Sequence, residues 1–124
     1  MQESKENLEK EARIKREKMR LRRQFAKIDK KKKSVVEGLI ERAAFMRIML
    51  EDMEADIKEK GYVEPFSQGN QAPYDRKRPV VDSYNTMNAN YQKIIKQLTE
   101  LMPKEIVPKP ASDGFEEFVN GRED

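Results

Sequence analysis

Cysteine, histidine and tryptophan are all missing from this 124-residue chain. Without thiols there is no disulfide and no thiolate metal site, a composition that suits a reducing compartment such as the cytoplasm. Without histidine or cysteine, serine hydrolase, thiol and zinc chemistries lack essential members. No glycine-rich loop ending in Lys-Ser or Lys-Thr exists to cradle a nucleotide phosphate. No apolar run approaches the roughly 20 residues that span a bilayer, and the N-terminus lacks the apolar centre of a signal peptide. These absences predict a soluble, unexported, non-enzymatic protein with no resident metal, cofactor, membrane contact or small-molecule substrate.

Apolar residues are also scarce, at 36% against 40% charged. The length suits one domain plus tails. A lone copy has little apolar surface with which to offset its ordering entropy, so a core shared between copies is expected. The net charge of +3 is unevenly spread. Residues 1–33 carry 14 Lys or Arg against 6 Asp or Glu, whereas residues 34–124 carry 12 against 17. Positive potential gathered at one end suits a polyanion such as DNA or RNA.

Three regions follow. Residues 1–33 read as a basic helical arm, with helix over about 3–29. Its Glu6/Lys10, Glu9/Arg13 and Glu11/Lys15 pairs have helix-supporting spacing. Its apolar residues Ile14, Leu21, Phe25 and Ile28 make a thin stripe, which predicts an arm that packs weakly or projects. Residues 34–102 read as a helical-hairpin oligomerisation core, with helices about 34–60 and 79–102 and a connection over 61–78. Ser34 and Glu37 match a capping box that would open the first of these helices. Val36, Leu39, Ala43, Met46, Leu50, Met53 and Ile57 then recur at spacings of three and four, with Val35, Ile40 and Met49 widening the stripe. Met46, Met49 and Met53 suit adaptable core filling. Gly61 can close the helix in a left-handed conformation. Pro65, Gly69 and Pro73 exclude helix from the connection and admit a short β-hairpin about Gln68 to Asn70. Pro79 fits the first position of the next helix. There Tyr84, Met87, Tyr91, Ile94, Leu98 and Leu101 repeat the apolar spacing until Pro103. The expected fold is mainly α: the arm plus an antiparallel helical hairpin, oligomeric because the wide stripes need neighbours to cover them. Residues 103–124 read as a flexible acidic tail.

The basic region is the most informative chemical feature. Arg13, Lys15, Arg16, Lys18, Arg20, Arg22, Arg23 and Lys27, followed by Lys30, Lys31, Lys32 and Lys33, could neutralise several phosphates and give salt-dependent binding. Such charges fix position on a nucleic-acid backbone but carry no base-reading code. A solvated helix whose charges serve solubility is the blander possibility. Glu51, Asp52, Glu54 and Asp56 could be taken for a magnesium-dependent nuclease site, which needs carboxylates converging on one ion. Their spacing puts them mostly opposite Leu50, Met53 and Ile57, so a solvated helix face is expected instead. In the tail, Phe115, Phe118 and Val119 form a short apolar face flanked by acids, suited to docking in a partner's groove.

The stretches Ser34-Val35-Val36-Glu37-Gly38-Leu39-Ile40-Glu41-Arg42-Ala43-Ala44-Phe45-Met46 and Ser83-Tyr84-Asn85-Thr86-Met87-Asn88-Ala89-Asn90-Tyr91-Gln92-Lys93-Ile94-Ile95-Lys96-Gln97-Leu98 resemble the small terminase subunits of tailed bacteriophages and prophages. The order of basic arm, apolar helix, aromatic turn, proline-started helix and acidic tail resembles the family's layout over about residues 10–119. The helix-turn-helix that many members carry is not found here. The resemblance implies a DNA-packaging adaptor in the bacterial host's cytoplasm. Such an adaptor binds double-stranded viral DNA, forms a ring or other homo-oligomer, and recruits the large terminase subunit that carries ATPase and nuclease. It assigns phosphate contact to the basic residues of 13–33, assembly to the two apolar helices, and large-subunit docking to Phe115, Phe118 and Val119. A helical scaffold whose basic arm meets an acidic protein partner, and not nucleic acid, is the competing reading.

Overall fold

The computed structural model describes residues 2–104. Helix α1 (Gln2–Gln24) is followed by a single 3-10 turn (Lys30–Lys32), α2 (Lys33–Lys60), strands β1 (Val63–Phe66) and β2 (Tyr74–Lys77), and α3 (Pro79–Leu101). The fold is mainly helical, with one small antiparallel sheet between α2 and α3. At about 1.5 Å per residue, α2 is roughly 42 Å long and its two neighbours roughly 35 Å.

Helix α1 stops short of the expected 29 because its last turn tightens. Phe25 N still donates to Leu21 O at 2.9 Å, but Ala26 and Ile28 then bond only three residues back, to Arg23 and Phe25. Asp29 takes over as the cap of the next turn, its Oδ1 accepting from Lys31 N at 3.2 Å. That turn runs straight into α2, so Ser34 already lies inside a helix and the expected capping box does not form. Glu37 is turned instead toward Arg22 of α1.

At the other end of α2, Gly61 has φ 81° and ψ −168°, and its amide donates to Ile57 O at 2.7 Å. No atom would meet an added Cβ there, so the obstacle to a side chain is the backbone conformation alone. Gly61→Ala is therefore expected to lower the unfolding free energy by about 1–3 kcal/mol, measured by urea titration. Gly69, also at positive φ, serves the loop between the strands.

The expected hairpin is present, with Val63 opposite Lys77 and Phe66 opposite Tyr74. A two-stranded sheet is marginal alone, and local contacts hold this one. Phe66 and Tyr74 meet edge to face with centroids 5.7 Å apart, and the Arg76 guanidinium lies 3.8 Å from the centre of the Phe66 ring. Arg78 then ties the hairpin to the helices. Its amide donates to Tyr62 O at 2.7 Å, Nη1 to Gly61 O at 3.0 Å, and Nη2 to Asp56 Oδ2 at 2.6 Å.

Both α1 and α3 run antiparallel to α2, which lies between them. Arg13, midway along α1, reaches Asp52 in the last third of α2, whereas Arg22, near the end of α1, reaches Glu37 near the start of α2. On the other side Tyr84, early in α3, reaches Glu54, and Leu101 at the end of α3 lies beside Val35 and Leu39. One continuous core joins Leu21, Phe25 and Ile28 to Val36, Ile40, Ala43, Ala44 and Leu98, with Ile14, Tyr91, Ile94 and Leu101 packed against it. This corrects the expectation of a weakly packed or projecting arm, because it contributes three buried core side chains, Leu21 from α1 and Phe25 and Ile28 from the turns that follow it. Ala43 and Ala44, both 0% exposed, let a neighbouring helix approach α2 closely.

Candidate nucleic-acid interface

The cations of residues 13–33 separate into two groups. Arg13 donates from Nη1 to Asp52 Oδ1 at 2.7 Å and from Nη2 to Glu51 Oε1 at 3.1 Å, and Lys10 joins Asp52 at 3.3 Å. Arg20 forks onto Glu17 with two 2.7 Å bonds, and Arg22 grips Glu37. These three arginines are committed to carboxylates of the chain itself. Lys10 and Arg13 reach across to α2, although Glu6 and Glu9 stand four residues before them.

Among the described residues, Lys15, Arg16, Arg23, Lys30, Lys31, Lys32 and Lys33 are exposed cations for which no carboxylate lies within ion-pair distance. Lys18 is half-buried and, with Lys33, adds positive potential at Glu37. Lys27 is exposed but engaged within the chain. Arg16 and Arg23 stand two turns apart, on the side of α1 away from buried Leu21, whereas Lys15 borders a separate depression with Ile14, Lys18 and Arg22. Lys30, Lys31, Lys32 and Lys33 follow in the elbow that leads into α2, where Lys30 and Lys33 border the same cavity as Arg22. A shallow groove beside Arg16 and Arg23 is lined also by Arg13, Glu17 and Arg20 of α1 and by Ile48 and Glu51 of α2. Arg47 of α2 stands nearby, bonded to Glu51 at 3.2 Å, and Tyr91 of α3 followed by Glu51 keeps its guanidinium firmly charged.

The acidic run has a different role from the expected solvated face. Glu51 and Asp52 hold α1, Asp56 holds Arg78, and Glu54 accepts from the Tyr84 hydroxyl of α3 at 2.8 Å. The four acids thus clamp α2 to both neighbours. No group of three or more acids among the described residues is placed to hold a metal ion. Arg78 has no special sequence signal, since only the fold brings Asp56 near, whereas Arg47 and Glu51 stand four apart on one helix, a pair that spacing alone could have shown.

These clamps have a pH signature. Arg22 holds the Glu37 carboxyl below its ordinary range, and Arg78 does the same for Asp56. Burial pushes the Asp52 carboxyl up, but bonds from Arg13 and Lys10 outweigh it and the net displacement is downward. Carboxyls depressed in the folded state stabilise it fully above their unfolded values near 4, and that contribution disappears as pH falls through the folded values. Stability by urea titration should therefore hold from pH 7 to about 5 and fall progressively below about 4. Asp52→Asn should make the acid limb shallower, and an unchanged limb would remove Asp52 from the account.

Of the core residues expected from sequence, Val36, Ala43, Leu50 and Leu98 are buried. Leu39, Met46, Met53, Ile57, Tyr84, Met87, Tyr91, Ile94 and Leu101 are only partly buried. Val35 is 61% exposed and outside the core. Met46 and Met87 border one shallow groove between α2 and α3, and Val35, Leu39 and Leu101 border another. Coverage by α1 meets part of the need that pointed to neighbouring copies. Phe115, Phe118 and Val119 lie outside the described residues. No described helix is long and apolar enough to cross a membrane. Comparison with protein-family models, with curated proteins and with solved structures finds no match.

Proposed function

We propose that this chain is a non-enzymatic DNA-packaging adaptor of the small-terminase kind, encoded by a phage or prophage and acting in the host cytoplasm. It binds double-stranded viral DNA, self-associates, and recruits the large terminase subunit through Phe115, Phe118 and Val119. The observation that carries the reading is the set of exposed cations at Lys15, Arg16, Arg23 and the four elbow lysines, which have no carboxylate within ion-pair distance among the described residues. A fold that spends Glu17, Glu37, Glu51 and Asp52 on other cations and leaves these seven unpaired among the described residues presents exposed positive charge to phosphates. The half-buried grooves along the seam of α2 and α3 supply apolar surface for self-association.

A gel shift with a 30-base-pair duplex at low and moderate salt, run beside light scattering of the free protein, tests the reading. The expected result is salt-sensitive binding by an oligomer. A stable monomer at micromolar concentration that leaves the duplex unshifted at low salt would overturn it. One observation favours the scaffold reading: Arg13, Arg20 and Arg22 already donate to carboxylates, the groups an acidic protein would present. Capture of an acidic protein with no duplex shift would decide for that alternative.

A further inference from the structure

The elbow between α1 and α2 holds a cavity of about 270 Å³ whose apolar walls include Phe25, Ile28, Val36 and Ile40. Lys30 and Lys33 stand at its rim. Its volume is just under the roughly 300–1,000 Å³ of small-molecule sites, which suits inserted side chains better than a drug-sized ligand. Two acids also border it, but both are engaged: Asp29 caps Lys31, and Glu37 is gripped by Arg22. Apolar walls beside lysines that have no ion-pair partner among the described residues call for an occupant that is apolar and acidic together.

We propose that the occupant is the chain's own segment 113–119, which seats Phe115 and Phe118 in this cavity with Asp113, Glu116 and Glu117 facing the elbow lysines. Charge complementarity is the first support. Residues 105–124 carry six acids against two bases, and residues 113–119 carry three acids and no base. The rival apolar groove at Val35, Leu39 and Leu101 is bordered by Glu100 and no cation, so it would repel the same segment. Reach is the second support. Met102, at the end of α3, packs against the same core that contains Phe25, Ile28, Val36 and Ile40. The ten residues 103–112 can extend up to roughly 33–36 Å, several times the 8–10 Å between packed helices. A tether this short holds its ligand at roughly millimolar effective concentration, so even a weak docking motif stays largely bound.

Occupancy of the cavity stands apart from the proposed function, but its consequence rests on it. Lys30 and Lys33 cannot serve tail carboxylates and DNA phosphates at once. DNA and the docked tail therefore exclude each other, and each weakens the other by the same factor. Phosphate on the elbow would release Phe115, Phe118 and Val119 for a protein partner, coupling partner recruitment to DNA loading.

Because the chain has no cysteine, Ser112→Cys gives the full-length protein one thiol for a nitroxide label. Paramagnetic broadening of methyl resonances should be at least about fivefold stronger at Ile28, Val36 and Ile40 than at Ile57. It should survive dilution with unlabelled chain and vanish with Phe115→Ala/Phe118→Ala. Equal broadening at Ile57, broadening centred on Leu39 and Leu101, or loss on dilution would overturn the proposal, the last in favour of a second copy as occupant. A short duplex should relieve the broadening, and the double alanine variant should bind that duplex several-fold more tightly. Binding that leaves the broadening intact overturns the competition. Absence of any duplex binding sinks the proposed function and leaves the docked tail standing.

Discussion

Replacing Leu21 by alanine is expected to lower the unfolding free energy by about 2–5 kcal/mol, a large share of the roughly 5–15 kcal/mol that holds a typical domain. Leu21 is 1% exposed and joins α1 to the core shared with α2 and α3. Truncation removes its transfer free energy and leaves a void between helices whose spacing is already fixed by Ala43 and Ala44. Leu8 of the same helix is 63% exposed and provides the control, since Leu8→Ala should stay within about 0.5 kcal/mol. Both variants are compared by urea unfolding monitored by circular dichroism at one protein concentration, because self-association would stabilise by mass action. If the two shifts are equally small, α1 is an appendage and its packing on α2 contributes little.

The difference between that helix and the weakly packed arm expected from sequence has a local cause. Counted along α1, the stripe of Ile14 and Leu21 is thin, and Phe25 and Ile28 fall beyond the helix end. The surface that receives it is the second side of α2, where Ala44 and Ile48 are buried. The strong three-and-four pattern from Val36 to Ile57 describes one side only, and an alanine adds little apolar signal to the other. The features set by local chemistry were legible: Gly61 ends α2, Pro79 starts α3, and the proline- and glycine-bearing connection folds as a hairpin. The Ser34 and Glu37 box was a sound local motif displaced by a neighbour, because Asp29 caps the preceding turn and leaves Ser34 inside a helix. The acidic run illustrates the same limit. Periodicity places Asp52 and Asp56 off the main apolar stripe, but cannot reveal that Arg13 and Arg78 wait across from them.

That limit matters most for the basic site, where sequence presents twelve equivalent cations and the fold makes them unequal. An arginine bonded to a carboxylate of its own chain must break that pair before it can displace a counterion from DNA, so it adds little to the salt slope. A cation without such a partner adds its full share, a change of about 0.9 in the slope of log affinity against log salt per phosphate engaged. The triple variant Lys15→Gln/Arg16→Gln/Arg23→Gln should therefore reduce the slope by up to about 2.7 and weaken duplex binding on the order of 10²–10³-fold at 0.1 M salt. Arg13→Gln/Arg20→Gln/Arg22→Gln removes the same formal charge but frees Glu17, Glu37 and Asp52. Its slope should barely move, whereas its urea midpoint should fall because the clamps between α1 and α2 are lost. Fluorescence anisotropy of a labelled duplex across a salt series, paired with urea unfolding of both variants, separates the effects. Equal slope changes in the two triples would mean that DNA opens the internal ion pairs, and that the fold's division of its cations does not govern binding.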